Sequence, residues 1–328
     1  MTQKMRIAVL GAGGLGKAAA QILSMKEEME LVAICDSQGF AYCPEGLVVE
    51  SILKLNPKQS VAEIVDGKRS DDGIGQIIAL GDKIDGLFVA LPNLPNEFIP
   101  GVVQRFIKAG FRGVFSDALK RTRAVELMFE LDSGLKRNQS VYLVGCGATP
   151  GLLTAAAVIA AQSFIKIESV DIWWGVGISN WDAYKATIRE DIAHLPGYTM
   201  ERAKAMTDVE VEELLDQNDG KLVLHEMEHA DDILLQRVGV VESRRQVKVG
   251  GVMDARSATK PVTTTMTLTG ITFQGKRSSH KFMLGDETTM AANVIGPALG
   301  YLKRAQWLKE HEIYGIFGST EFMPMVVR

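Results

Sequence analysis

Met5-Arg6-Ile7-Ala8-Val9-Leu10-Gly11-Ala12-Gly13-Gly14-Leu15-Gly16 is the stretch whose reading decides the fold. Its apolar run breaks into closely spaced glycines and then into the helix-forming segment 17–23, so it reads as strand, turn and helix. A strand that is apolar on both faces belongs inside a parallel sheet. In a dinucleotide-binding unit, the glycine at Gly11 allows the tight turn and the one at Gly13 lets backbone approach a pyrophosphate. Gly16 allows close helix–strand packing, and the helix start at Gly14 and Leu15 faces the phosphates. An ordinary strand–turn–helix with no ligand has the same outline, and in a chain with 32 glycines the spacing alone decides little. The context decides more. A second apolar run, 31–35, ends in Asp36, where a carboxylate, with Ser37 beside it, accepts hydrogen bonds from the adenosine ribose hydroxyls.

Composition sets the outer bounds. A chain of 328 residues exceeds what one hydrophobic core usually organises, so two domains are expected. The balance of 36 basic against 40 acidic residues speaks against a nucleic-acid or anionic-membrane partner. Cys35, Cys43 and Cys146 form neither a metal-ligand spacing nor a disulfide framework, which fits a reducing, cytoplasmic location. The first strand begins without a charged and apolar leader, and the longest small-apolar run, 151–161, is too short to span a bilayer.

Along the chain, segment 47–55 reads as a helix, 66–73 as a polar surface loop and 77–80 as a short strand. The run 86–91 is a clearer strand, and the loop after it, with Leu91, Pro92 and Asn93, is expected to lie along the cofactor. Helix 98–109, strand 113–115, helix 124–135 and strand 141–144 complete a doubly wound α/β unit of the Rossmann type. From about residue 152 alternation with period two becomes common. Strands at 169–175, 262–273 and 281–284 predict a second α+β domain with a mostly antiparallel sheet, between short helices at 200–206 and 209–217. A last helix, 287–308, capped by Asp286, is expected to return to the nucleotide-binding domain. The expected division is therefore 1–151 with 286–328 for the nucleotide, and 152–285 for substrate and dimerisation.

Four blocks resemble the diaminopimelate dehydrogenase family and, more loosely, the saccharopine dehydrogenase-like oxidoreductases: 6–36, 85–117, Gly147 through Pro150-Gly151 into a helix, and Trp174-Gly175-Val176-Gly177-Ile178-Ser179. The resemblance implies a homodimeric dehydrogenase that interconverts a small amino acid and its imino or oxo acid, with the substrate held between two domains. It puts Asn96, Ala148, Thr149, Gly151, Trp174 and Ser179 near that substrate. The departures matter as well. Where those enzymes tend to have Ser-Arg-Arg this chain has Asp36-Ser37-Gln38, a carboxylate where a ribose phosphate needs cations, so NAD is expected and NADP disfavoured. Ala148-Thr149 replaces Trp-Asp, and Asn96 stands where the family has an aspartate, which speaks against diaminopimelate itself.

Asp117 falls on an aspartate of the family's pattern, and with Lys120 it follows a strand of the cofactor sheet. Hydride removal beside an amine needs a base for the leaving proton, and a lysine desolvated beside a cofactor has its pKa lowered toward the working range. The expected catalytic pair is thus Lys120, exchanging the proton, and Asp117, orienting it or holding the amine. The plainer alternative is a helix cap and a surface charge. Thr149-Pro150-Gly151 reads as a helix N-cap with an N1 proline, either a plain cap or an anion site. Trp173, Trp174, Trp181 and Tyr184 form either an aromatic wall or core. His225-Glu226-Met227-Glu228-His229 matches a zinc-peptidase pattern, but the preceding 221–224 favours a strand, where residues four apart are about 13 Å distant and cannot chelate one ion. A non-catalytic NAD-binding sensor is the other functional class open at this point, distinguished by binding without hydride turnover.

Overall fold

The computed structural model describes residues 4–56, 58–93, 95–178, 185–286 and 289–328. It divides into two units, one of Met1–Leu152 with Ala291–Arg328 and one of Leu153–Met290.

The first unit opens with β1 (Met5–Leu10), α1 (Gly14–Leu23) and β2 (Met29–Asp36). It then departs from simple strand–helix alternation with β3 (Gly39–Tyr42), α2 (Val49–Leu53), β4 (Gly67–Arg69) and α3 (Gly73–Ala79). Alternation resumes with β5 (Gly86–Val89), α4 (Phe98–Lys108), β6 (Val114–Asp117), α5 (Thr122–Phe129), α6 (Asp132–Arg137) and β7 (Val141–Val144). The chain returns to this unit much later. The eight-stranded sheet runs β13-β7-β6-β5-β1-β2-β3-β4, where β13 is Gly315–Gly318. All neighbours from β13 to β2 are parallel, and β3 and β4 add an antiparallel edge. Strand order turns back on either side of β1, so the switch point lies between β1 and β5.

Burial explains these choices. β5, β6 and β7 are buried at every position, as strands covered on both faces must be. Phe106, Phe111 and Phe115 meet edge to face with ring centroids 5.3–5.5 Å apart, and Tyr142 stacks on Phe115.

Three readings of this unit are corrected. Segment 77–80 is the end of helix α3, not a strand: Asp72 accepts from the Gly75 N–H at 2.9 Å and starts a helix that the short run Ile77-Ile78-Ala79-Leu80 does not betray. The polar loop 66–73 contains edge strand β4. The single helix at 124–135 is two, broken at Glu130-Leu131.

The second unit holds α7 (Leu152–Ala161), which begins at the unit boundary, then β8 (Phe164–Gly177), α8 (Lys185–Ile192), α9 (Met200–Ala205), α10 (Asp208–Gln217) and β9 (Lys221–Leu224). It continues with α11 (Asp231–Arg237), β10 (Val247–Asp254), β11 (Thr265–Thr272) and β12 (Arg277–Met283). Its five-stranded sheet runs β12-β11-β8-β10-β9 and is antiparallel except for the β8–β10 pair.

The chain re-enters the first unit through α12 (Met290–Glu310). Ile295, Ala298, Leu299 and Leu302 on this helix are fully buried in one cluster with Ile7, Val9 and Leu143. Asp286 does not cap it: the helix starts four residues later, and the Asp286 carboxylate accepts from the Thr263 hydroxyl at 2.9 Å. Among the described residues no helix is long and apolar enough to cross a membrane.

Candidate active site

Register brings the site residues of the first unit to one edge of its sheet. Leu10 pairs with Val89 and Val89 with Asp117, so Gly11, Ala90 and Ala118 all leave their strands at the same level. Gly11 has φ +101°, and a Cβ there would lie 2.5 Å from the Ala90 carbonyl oxygen, so only glycine fits. A Cβ on Gly16 would meet the Gly11 carbonyl at 1.8 Å, which is the close helix–turn approach read from the sequence. Gly13 is different. Nothing lies within 4 Å of where its Cβ would be, and no side chain caps α1. The result is an open approach to a ten-residue helix N-terminus at a sheet switch point, with Gly14 and Leu15 in its first turn. These residues fit a dinucleotide's pyrophosphate. Beyond β5, Leu91 and Asn93 are half-buried and Pro92 is exposed. Asn96 carries a buried side-chain oxygen with no hydrogen-bond partner among the described residues, an unmet acceptor in the same loop.

Asp36 stands at the end of β2, but its carboxylate is already at work within the chain. Oδ1 accepts from the Gln38 N–H at 2.8 Å, the Gly39 N–H at 3.1 Å and the Ser60 hydroxyl at 2.9 Å; Oδ2 accepts from the Val61 N–H at 2.8 Å. Oδ1 is therefore saturated and Oδ2 has room for a further donor. Ser37 is exposed beside it. Sequence reasoning missed Ser60 and Val61, because nothing in their spacing links them to a residue 24 positions earlier.

Asp117 is fully buried at the end of β6. Its Oδ1 accepts from the N–H groups of Leu119 (3.1 Å) and Gly145 (2.7 Å), and its Oδ2 from the Tyr142 hydroxyl (2.8 Å). Burial pushes the carboxyl up to about 6, against the pull of those three donors. Asp117 thus ties the loop after β6 to the loop after β7. It is not a helix cap, since the N-cap position of α5 belongs to Arg121. Lys120, half-buried, sits in the loop that Asp117 secures.

The turn after β7 differs from the helix cap expected of Thr149. The Thr149–Pro150 peptide is cis, Gly151 has φ +128°, and α7 starts only at Leu152, whose N–H donates to the Gly147 carbonyl. A Cβ at Gly151 would meet that carbonyl at 1.9 Å. Ala148 and Thr149 are half-buried on this turn and Gly151 is buried in it.

In the second unit, Trp174 is buried and Trp173 half-buried on β8, opposite Gly251 and Gly250 of β10. A Cβ on Gly251 would come within 2.3 Å of the Trp174 ring, so the glycine pair makes room for the indoles. Ser179, Trp181 and Tyr184 lie outside the described residues. The histidine motif is a loop between β9 and α11, not a strand. His225 is exposed against the Trp173 ring, centroids 5.3 Å apart, whereas His229 is buried with its Nδ1 2.5 Å from Asp231. The two rings thus serve separate partners.

Over 98% of its length the chain is 42% identical to a protein of Haloferax mediterranei named (S)-8-amino-7-oxononanoate synthase BioU, and it spans 99% of that protein. The chain belongs to the BioU family. Residues 1–90 of this BioU-family chain also match the model of the Glutamate/Leucine/Phenylalanine/Valine dehydrogenase family, a span that runs from β1 through β5. Among solved structures, the BioU-family chain resembles diaminopimelate dehydrogenase of C. glutamicum in complex with DAP, with a TM-score of 0.59, 16% identity, and 98% of this chain and 94% of that one covered. An engineered D-amino acid dehydrogenase bound to NADP+ gives the same TM-score and identity over 97% and 94% of the chains. An amine dehydrogenase from Mycobacterium smegmatis gives 0.54 at 14% identity over 100% and 98%. The resemblance to the diaminopimelate dehydrogenases holds as a likeness of fold.

Proposed function

We propose that this BioU-family chain is a nicotinamide-dependent oxidoreductase acting at the amine-bearing carbon of an amino-oxo carboxylic acid, the compound class in the name of its Haloferax relative. The observation that carries the reading is the open glycine turn at Gly13, set at the switch point between β1 and β5. A nicotinamide bound there supplies or accepts the hydride. Gly11, Gly13, Gly14, Leu15 and Gly16 hold its pyrophosphate, Asp36 Oδ2 and Ser37 its ribose, and Leu91 to Asn93 run beside it. NAD is the preferred form, because the Asp36 carboxylate repels a second ribose phosphate.

On the substrate side, the unmet Asn96 oxygen accepts a hydrogen bond from the ammonium, and the turn at Ala148, Thr149 and Gly151 offers backbone groups to a carboxylate. Lys120, in its uncharged form, takes a proton from the substrate ammonium. The freed lone pair then closes the C=N bond as the hydride leaves the carbon, giving an iminium. Asp117 keeps Lys120 in place through the loop it secures. The test is to mix the purified protein with (S)-8-amino-7-oxononanoate and NAD+, or with an oxo acid, ammonia and NADH, and to follow the reduced nicotinamide. Lys120→Met is expected to leave NAD affinity unchanged by calorimetry and to lower hydride transfer by about 10²-fold or more. Tight NAD binding with no turnover on any amino, imino or oxo acid would instead mark a sensor.

A further inference from the structure

Asp36 is joined by hydrogen bonds to a cation two strands away. In the sheet of the first unit Asp36 pairs with Gly39 of β3 and Gly39 with Arg69 of β4, so the three residues stand at one level, with neighbouring strands about 4.8 Å apart. The Arg69 guanidinium lies 3.5 Å from the Gln38 side-chain oxygen and 3.5 Å from the Glu63 carboxylate. Both neighbours lead back to Asp36. The Gln38 N–H donates to Asp36 Oδ1 at 2.8 Å. Glu63 closes a capping box with Ser60 by accepting from its N–H, and the Ser60 hydroxyl donates to the same Oδ1 at 2.9 Å. Lys17 of α1 donates to the Leu55 carbonyl, which ties the segment entering this turn to the helix that follows the glycines.

The parts of this ring differ in firmness. Ser60 and Val61 are fully buried, and their bonds to Asp36, at 2.9 and 2.8 Å, fix the carboxylate. Arg69 is held instead by two contacts at the outer limit of hydrogen-bond length, on a side chain that is 69% exposed. An exposed pair of this kind is weak, so the guanidinium exchanges it for a stronger anion at little cost. Its planar fork of donors suits a phosphate.

We infer that Glu63 is a specificity-determining residue, which keeps the cofactor site closed to a second ribose phosphate by occupying Arg69; the inference rests on the nicotinamide reading above. Asp36 supplies repulsion at the ribose, and Glu63 engages the cation that would offset it. With the Glu63 charge removed, Arg69 keeps only Gln38, two residues from Asp36, and is available to the phosphate.

Glu63→Gln is the discriminating variant, because glutamine also closes a capping box, so the turn is kept while the charge goes. Calorimetry should show NAD+ affinity unchanged and NADP+ affinity raised by about fivefold, the scale of one exposed charge pair. The gain should shrink in about 1 M salt. It should vanish when Arg69→Ala is added to Glu63→Gln, whereas Arg69→Ala alone leaves the ratio of the two affinities as it was. Coupling of that form is not produced by a loosened fold. Glu63→Ala, in which the Ser60 hydroxyl still accepts from the Ala62 N–H, should give the same gain. Unchanged NADP+ affinity in the Glu63 variants, a gain that survives the loss of Arg69, or tighter NADP+ than NAD+ binding by the unmodified protein overturns the inference. An unmodified protein that binds neither nucleotide overturns the nicotinamide reading, and the inference with it.

Discussion

Asp117 shows how a single carboxyl can hold two loops. Replacing it by alanine strands three buried donors, and each orphaned group costs about 1–3 kcal/mol, so Asp117→Ala should lower stability by several times the loss in Asp117→Asn. Its pH dependence has a definite sign. The folded pKa, pushed up to about 6 by burial, lies above the unfolded value near 3.8. The protonated form is therefore favoured by folding, and its contribution is full below pH 3.8 and lost as pH rises through about 6. Denaturant melts should show a difference between the unmodified protein and Asp117→Asn that falls by about 3 kcal/mol across that window and is flat above it; a difference independent of pH would refute this. At Asp36 the expectation concerns choice of cofactor. Calorimetry should show tighter binding of NAD than NADP, and Asp36→Ala should narrow the ratio. The same variant should melt earlier, since four donors lose their acceptor.

At the scale of elements, the turn from β1 into α1 separates two glycines that look alike in sequence. Gly13 has an extended backbone, φ −72° and ψ −167°, and open space around it, so Gly13→Val should fold with an unchanged melting temperature and bind NAD poorly. Gly16→Ala should do the reverse at first sight, lowering the melting temperature because its Cβ meets backbone at 1.8 Å, with overpacking of this kind costing about 1–3 kcal/mol. Thermal melts and calorimetry on the pair test the assignment; equal melting temperatures would sink it. This unit was legible because a strand buried on both faces and a glycine turn leave their marks within a dozen residues. So did β7, read at 141–144 and found there, and the alternating strand that became β11. Helix α3 was not legible: its apolar residues occupy barely one turn, too few to show a period of 3.6, and a capping bond from Asp72 decides it. The site divides in the same manner. The places of Asp117 and Lys120 just past a strand were visible, whereas Ser60 and Val61, which donate to Asp36 from 24 and 25 residues away in sequence, meet it only in the fold.

For the whole molecule, a homodimer is expected to cover part of the second unit's sheet. Every residue of edge strand β12 is exposed, Phe282 and Met283 among them, and Phe273 in the turn before it is 68% exposed. Open edges with apolar side chains are usually shielded. Light scattering at micromolar concentration should give twice the chain mass, and a monomer would count against it. The placement of α12 bears on a different matter, the order in which the polypeptide acquires its shape during synthesis. The first 152 residues leave the ribosome without the helix that supplies Ile295, Ala298, Leu299 and Leu302 to their apolar cluster, and without β13 to flank β7. Residues 153–290, made later, are contiguous and have all their own strands as soon as they emerge. The portion translated earlier is thus the later to be completed, and for the time needed to make well over a hundred residues the apolar side chains that α12 covers are the surface a chaperone would find.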